Sequence, residues 1–182
     1  MRVTVIKYIH KWLSTTRRSF IKGKSLDQLC PLCYEPENQT HIFCCTDEAM
    51  KKKCEERWMT CLSALKRISP PERFAVAMSG LRTVMGKEHP TKKTIRDWPL
   101  HLQERYHSQA RIGWTHMFYG RIAKCWDHYL TGDGDTSKID NTGWIYKVIV
   151  LLWNFGLDLW KLRNILVHGE GPILAISEER AR

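Results

Sequence analysis

The chain has 182 residues, of which 43% are hydrophobic, and this is enough to bury the core of one domain, with or without a small appendage. Eight tryptophans argue against a disordered chain, and a net charge of +10 favours a polyanionic partner, nucleic acid before an anionic membrane surface. The longest apolar run, from Val148 to Trp160, contains Asp158 and falls short of the ~20 residues that a transmembrane helix needs, so no membrane-spanning segment is expected.

The first 29 residues are strongly basic, with seven Lys or Arg against the single acid Asp27, a balance of +6. The composition is compatible with an organellar transit peptide, but basic side chains interrupt the apolar run too early for a secretory signal. We therefore expect a nuclear or cytoplasmic location over a mitochondrial one, with reduced thiols. Residues 5–14 are expected to form a short helix whose apolar side is made by Ile6, Ile9 and Leu13.

The stretch CPLCYEPENQTHIFCC, which begins at Cys30, contains four cysteines and one histidine. Clustered Cys and His in a reducing compartment indicate zinc. Cys30 and Cys33 form a tight Cys-x-x-Cys pair, and His41 and Cys45 are separated by one helical turn. The four side chains could close a tetrahedral Cys3His shell around Zn²⁺. Cys44 competes with Cys45 because its spacing from His41 also works, and Cys45 is the preferred ligand.

Two other interpretations of these cysteines stay open, a redox pair and inert buried thiols. A redox pair of the thioredoxin type needs a flanking βαβ pattern, and none is visible. Four protein ligands leave no open position on the ion, so the zinc is expected to be structural. The sequence shows no Gly-rich phosphate loop, no paired aspartates of a polymerase and no carboxylate set of a nuclease, so the chain is not expected to be an enzyme. Glu35 and Glu37 lie between the ligands and are expected to face water.

The remainder of the chain reads as helices, with no convincing alternating strand pattern. Capping signals and prolines predict about four long helices: one from Asp47 to the Pro70-Pro71 pair, one from Pro71 to about Met85, one from Asp97 to about Leu130, and one from Trp144 to about His168. A basic loop is expected at residues 87–98 and a hinge or surface loop at 132–143. The predicted fold class is mainly α, a small Cys3His loop followed by a helical bundle.

Seven basic residues are candidates for contacts with nucleic-acid phosphates: Arg17, Arg18, Lys22, Lys24, Lys92, Lys93 and Arg96. The first four precede the Cys3His loop, so a structural zinc would order them without touching the nucleic acid itself. A solvated basic face that only keeps the protein soluble is the competing interpretation. Tryptophans at helical spacing (Trp114, Trp126, Trp153 and Trp160) could stack on bases but are expected to pack in the core.

The segments WLSTTRR, CPLC and THIFCC together resemble the zinc-binding region that lies downstream of reverse transcriptase in non-LTR retrotransposon proteins. The resemblance covers residues 5–46. It implies the ligands Cys30, Cys33, His41 and Cys45 and excludes Cys44. Members of that family usually carry an acid three or four residues before the histidine, and Glu37 occupies such a position.

A weaker likeness to the same family continues in GWTHMFYGRIAKCW, from Gly113, and in LWKLRNILVHG, from Leu159. The second segment resembles a Trp-x-x-Arg-Asn element of the C-terminal tails, although its polar residues Arg163, Asn164 and His168 also suit the C-terminal end of a helix. The resemblance implies a C-terminal fragment without its polymerase.

We therefore expect a basic leader and zinc-binding module at residues 1–46 and a helical domain at 47–182. The predicted function is structural zinc binding with non-catalytic binding of RNA or DNA. The alternative is a zinc-stapled helical domain that binds proteins or acts as a scaffold and does not bind nucleic acid. Salt-dependent affinity for nucleic acid separates the two.

Overall fold

The computed structural model describes residues 2–11, 13–86, 90–126 and 141–169. Within these ranges the chain forms eight α-helices: α1 Arg2–Ile9, α2 Thr16–Ile21, α3 Glu48–Ile68, α4 Pro71–Val84, α5 Lys92–Arg96, α6 Leu100–Ile112, α7 Thr115–Phe118 and α8 Asn141–His168. The described residues contain no strand, and their only β-type pairing is an antiparallel bridge between Leu29 and Pro36. The prediction of a mainly α protein with a Cys3His loop ahead of a helical bundle is confirmed, and the four longest helices are α3, α4, α6 and α8.

Helix α3 packs along α8 and forms the centre of the bundle. The predicted start signal works as expected, because the Asp47 carboxylate caps α3 by accepting a 2.8 Å hydrogen bond from the Met50 N–H. One side of α3 is buried, and its residues recur at helical spacing: Met50, Cys54, Trp58, Cys61 and Leu65. The predicted break at Pro70-Pro71 is also present, with Pro71 as the first residue of α4.

The predicted helix from Asp97 to about Leu130 is interrupted in the structure. Helix α6 ends at Ile112 because Gly113 has φ +99°, and α7 is a separate short helix. A buried glutamine fastens this turn: Gln109 donates to the Arg121 carbonyl at 3.2 Å and accepts from the Ala123 N–H at 2.9 Å. The end predicted near residue 130 lies outside the described residues.

The segment expected to be a basic loop contains a short helix, α5. Thr91 caps it by accepting a 3.1 Å hydrogen bond from the Thr94 N–H, and Ile95 is its buried residue. The same expectation for residues 87–89, and residues 132–140 of the loop predicted at 132–143, lie outside the described residues. The prediction is wrong for residues 141–143, because α8 begins at Asn141 and not at Trp144.

Helix α1 docks on α8 through a glycine. The Tyr8 side chain is fully buried, and a Cβ added at Gly156 would lie only 2.0 Å from its hydroxyl oxygen. Helix α1 begins at Arg2 and ends at Ile9, so the helix predicted at 5–14 lies closer to the N-terminus than expected. Leu13 is buried beyond its end.

Buried apolar residues on both sides of the boundary predicted at 46/47 form one cluster, which runs from Tyr8 through Cys30 and Ile42 to Trp58 and Trp160. The division into a leader module and a helical domain stays a prediction. None of the helices in the described ranges combines the length and the apolar character needed to cross a bilayer.

Candidate metal centre

We call residues 28–46 the metal loop and α3 to α8 the helical body. The first half of the metal loop is a tight turn around the Cys-x-x-Cys pair. The Cys30 N–H donates to the Glu35 carbonyl and the Tyr34 N–H donates to the Cys30 carbonyl, both at 2.8 Å. Tyr34 closes the turn with φ +61°, a conformation that only a few per cent of non-glycine residues adopt. The turn brings the thiols of Cys30 and Cys33 to the same side of the backbone.

The second half of the metal loop positions the histidine. A 3-10 turn, Gln39–Phe43, carries His41. Asn38 caps it, because its side-chain oxygen accepts hydrogen bonds from the N–H groups of Thr40 at 2.8 Å and His41 at 3.1 Å. The turn ends at Phe43 with Cys44 as its C-cap, so His41 lies on the turn and Cys45 lies two residues beyond its end.

Four ligand atoms converge in the metal loop. The side chains of Cys30, Cys33, His41 and Cys45 each offer one atom, and these atoms all lie within 4.8 Å of one another. The Cys30 and Cys45 sulfurs are 4.0 Å apart, and the Cys33 sulfur lies 3.2 Å from Nε2 of His41. A tetrahedral zinc shell separates its ligand atoms by roughly 3.5–3.8 Å. The arrangement therefore fits a single ion with four protein ligands.

Cys44 is not a member of this group. Its side chain is exposed, whereas Cys30 and Cys45 are buried. The choice of Cys45 over Cys44, which spacing alone left open, is the one that the geometry favours.

The electrostatic environment of His41 and Cys33 favours the protonation states that bind a metal. Burial lowers the pKa of His41, which favours the neutral imidazole that a metal requires. Burial raises the pKa of Cys33, but hydrogen bonds from the Glu35 N–H and from Thr46 outweigh it, so this pKa lies below its usual value. Burial raises the pKa of Cys30 and Cys45, so these thiols stay protonated until a cation binds their sulfurs, and their protons would then pass to solvent.

The expectation that Glu37 faces water is wrong. Its side chain is fully buried, and it accepts hydrogen bonds from Nε and Nη2 of Arg163 at 2.9 Å each, in a bidentate ion pair. The Thr16 N–H donates to the same carboxylate. One side chain of the metal loop thus holds both the start of α2 and the C-terminal part of α8.

A second buried polar residue, Gln39, connects the metal loop by hydrogen bonds to the segment at residues 8–13. Its amide nitrogen donates to the Tyr8 carbonyl at 2.6 Å, and its amide oxygen accepts from the Leu13 N–H at 3.3 Å. Sequence reasoning missed Gln39. For Glu37 and Arg163 the sequence offered one signal, since each lies in a segment that the resemblance had singled out.

The predicted phosphate-binding residues occupy two places in the chain. Arg17 and Arg18 lie on α2, with Lys22 and Lys24 just after it, and all but the half-buried Arg18 are exposed. The other three are exposed on or at the ends of α5: Lys92, Lys93 and Arg96. Contact of these residues with nucleic acid stays a prediction.

The tryptophans that could have stacked on bases pack inward. Trp114, Trp126 and Trp160 are buried, and Trp153 packs against the core while half-buried. Trp126 stacks on Trp144 with ring centroids 5.7 Å apart. The expectation of core packing is confirmed for these residues.

Comparisons of the chain with protein-family models, with curated proteins and with solved structures found no match.

Proposed function

We propose that Cys30, Cys33, His41 and Cys45 bind a structural zinc ion, and that the metal loop so formed presents a basic surface to nucleic acid. The observation that carries the proposal is the convergence of three sulfurs and one imidazole nitrogen within 4.8 Å. Thiolate and imidazole donors in a tetrahedral set are typical of zinc.

A structural role follows from the number of ligands. Four protein side chains complete the coordination of zinc and leave no position for water or substrate. We therefore propose a non-catalytic protein, in which the ion fixes a loop that has little regular structure of its own.

Nucleic acid is the proposed partner because of charge and because of the resemblance to retrotransposon proteins. The chain carries +10, and its candidate residues beside the metal loop are exposed or half-exposed. One contact supports the resemblance: Glu37 of the zinc motif and Arg163 of the Trp-x-x-Arg-Asn element form a buried ion pair although 126 residues separate them. The two segments singled out by the resemblance thus contact each other.

The second candidate is a zinc-stapled scaffold or protein-interaction domain that does not bind nucleic acid. The inward packing of Trp114, Trp126 and Trp160 favours it, because side chains that stack on bases need to be displayed.

Two measurements on the purified chain test the proposal. Elemental analysis should find about one zinc ion per chain. Fluorescence anisotropy with labelled single-stranded RNA and DNA should show affinity that falls steeply between about 50 and 200 mM salt. A protein without zinc overturns the whole proposal. A zinc protein without salt-dependent binding leaves the scaffold function.

A further inference from the structure

A groove of about 340 Å³ opens between the segment at residues 11–21 and the metal loop. One wall is the end of the α1 segment and α2, with Lys11, Arg17, Arg18 and Ile21, and the other is the 3-10 turn of the metal loop at residues 38–40. We call it the basic groove. None of its lining residues is acidic.

The two walls are fastened to each other by buried polar contacts. Gln39 joins the second wall to Tyr8 and Leu13, and the Glu37 carboxylate accepts from the Thr16 N–H at the start of α2. The acid nearest to the groove in these contacts is Glu37, and Arg163 already neutralises it. The cations of the basic groove are therefore not balanced by an acid that lines it.

The positive charge continues past one end of the groove. Lys11 lies over the Tyr119 ring, 4.9 Å from its centroid, and burial together with the nearby Arg121 lowers its pKa. Arg121 in turn approaches Nδ1 of His116 at 3.4 Å. Burial together with Lys11 and Arg121 lowers the pKa of His116, so its imidazole is neutral and Nδ1 accepts from the guanidinium. Lys11 and Arg121 form a ridge of positive charge, and these two cations repel each other until an anion joins them.

We propose that the basic groove binds the sugar-phosphate backbone of single-stranded nucleic acid, with Lys11, Arg17 and Arg18 on successive phosphates and the Arg121 ridge on the next. This inference rests on the proposed function and adds two groups, Lys11 and Arg121, that the sequence did not single out. It also makes the metal loop one wall of the binding site.

The lining chemistry favours a single strand over other polyanions. Guanidinium groups of Arg17 and Arg18 match phosphate oxygens, and the Asn38 amide nitrogen remains available as a donor because only its oxygen is used in capping. Ile21 is 72% exposed and offers an apolar surface to a sugar or an unstacked base. A duplex would touch only the rim of a groove of this volume.

The test compares two triple variants that remove the same charge. The groove variant is Lys11→Gln, Arg17→Gln and Arg18→Gln; the control is Lys51→Gln, Lys52→Gln and Lys53→Gln on the exposed side of α3. The probes are fluorescein-labelled oligouridylate and oligodeoxythymidylate of about 12 nucleotides, titrated at several salt concentrations. Circular dichroism and zinc content verify that each variant is folded.

The groove variant should lose about tenfold or more in affinity at low salt, and its log–log salt slope should become shallower by about 2, the value for three phosphates on a single strand. The control should keep the native slope. Native binding with an unchanged slope in the groove variant, or an equal loss in the control, overturns the groove while the proposed function stands.

Two further results bear on the class of partner. Absence of binding by the native protein to either oligonucleotide overturns both the groove and the nucleic-acid function. Equal binding of vesicles containing anionic lipid, lost in the same groove variant, overturns the assignment to nucleic acid and indicates a membrane surface instead. Weaker binding to a matched duplex than to the single strand is the expected result.

Discussion

The metal loop and the helical body are held together by different forces. The body is an aromatic and aliphatic core, in which Phe155 contacts Trp58 at 5.4 Å and Phe118 at 5.9 Å between ring centroids. The metal loop uses four ligand atoms and two buried polar side chains, Glu37 and Gln39. Apolar packing tolerates small changes in shape, whereas ligand and hydrogen-bond geometry depends on single atoms.

The metal loop and the helical body should therefore be sensitive to different substitutions. Loss of one ligand should loosen the metal loop around the ion, since Cys30 and Cys45, two of its four residues in the buried cluster, are themselves ligands. Loss of one core contact should lower the stability of the whole chain without changing its metal content. Four predictions follow from this contrast.

Replacement of a metal ligand should have the largest effect. Cys45→Ser should reduce the zinc content from about one ion per chain to near zero, because structural zinc supplies roughly 10–16 kcal/mol in small metal-folded domains. Thermal unfolding followed by circular dichroism should show a large loss of stability.

Cys44→Ser is the matched control, one residue away and exposed. It should keep the zinc and change the free energy of unfolding by less than ~0.5 kcal/mol. If Cys44→Ser releases the metal and Cys45→Ser does not, the ligand set is wrong.

Removal of one partner of the buried ion pair should come next. Glu37→Gln leaves the Arg163 guanidinium, 4% exposed, without its counter-charge and should cost about 3–5 kcal/mol. Urea denaturation measures the loss. Glu35→Gln, an exposed acid of the same loop, should change stability by less than ~0.5 kcal/mol.

A double-mutant cycle sharpens this prediction. Glu37→Gln combined with Arg163→Met should cost about 1–3 kcal/mol less than the sum of the single changes, because no charge is then left unpaired in the interior. Strict additivity would show that the two side chains do not interact.

In the helical body, shape should matter more than individual atoms. Alanine usually stabilises a helix by ~1 kcal/mol relative to glycine, yet Gly156→Ala should destabilise by about 1–3 kcal/mol, since its Cβ would lie 2.0 Å from the Tyr8 oxygen. In a Tyr8→Leu background the same change should be neutral or stabilising. An equal cost in both backgrounds would contradict the docking of α1 on α8. Zinc content should not change in any of these variants.

The sequence predicted the parts of the fold that depend on local signals. Apolar spacing, the Asp47 cap and Pro71 were sufficient for α3 and α4, and Gly169 with φ +75° follows α8 at the expected end. The interruption after Ile112 was not predicted, although Gly113 is a local signal for the end of a helix. The contacts of Gln109 with backbone atoms 12 and 14 residues away, which fasten the turn, appear only in the tertiary structure.

The ligand atoms of the site were also predictable, since Cys and His spacing is a local pattern. The buried role of Glu37 was not, because nothing in the residues around an acid shows that an arginine 126 residues later will reach it. Long-range polar partners of this kind appear only once the tertiary packing is known.

The smallest predicted effect concerns the junction of the two regions. Asp47 contacts both: its side chain caps α3 at Met50, and its backbone N–H donates to the Cys45 sulfur, where it opposes the effect of burial on the thiol pKa. Asp47→Ala removes only the cap and should cost about 1 kcal/mol, while Asp47→Asn should retain most of it.

Because the backbone donor remains in both variants, the affinity for zinc in a competition titration with a chelator should be the same as in the native chain. A parallel fall in zinc affinity and helix stability in Asp47→Ala would mean that the first turn of α3 positions Cys45, and that the metal loop and the helical body form one cooperative unit. An unchanged zinc affinity would mean that the loop backbone alone positions the Cys45 sulfur. The ion would then order the metal loop, and the apolar core would order the helical body independently.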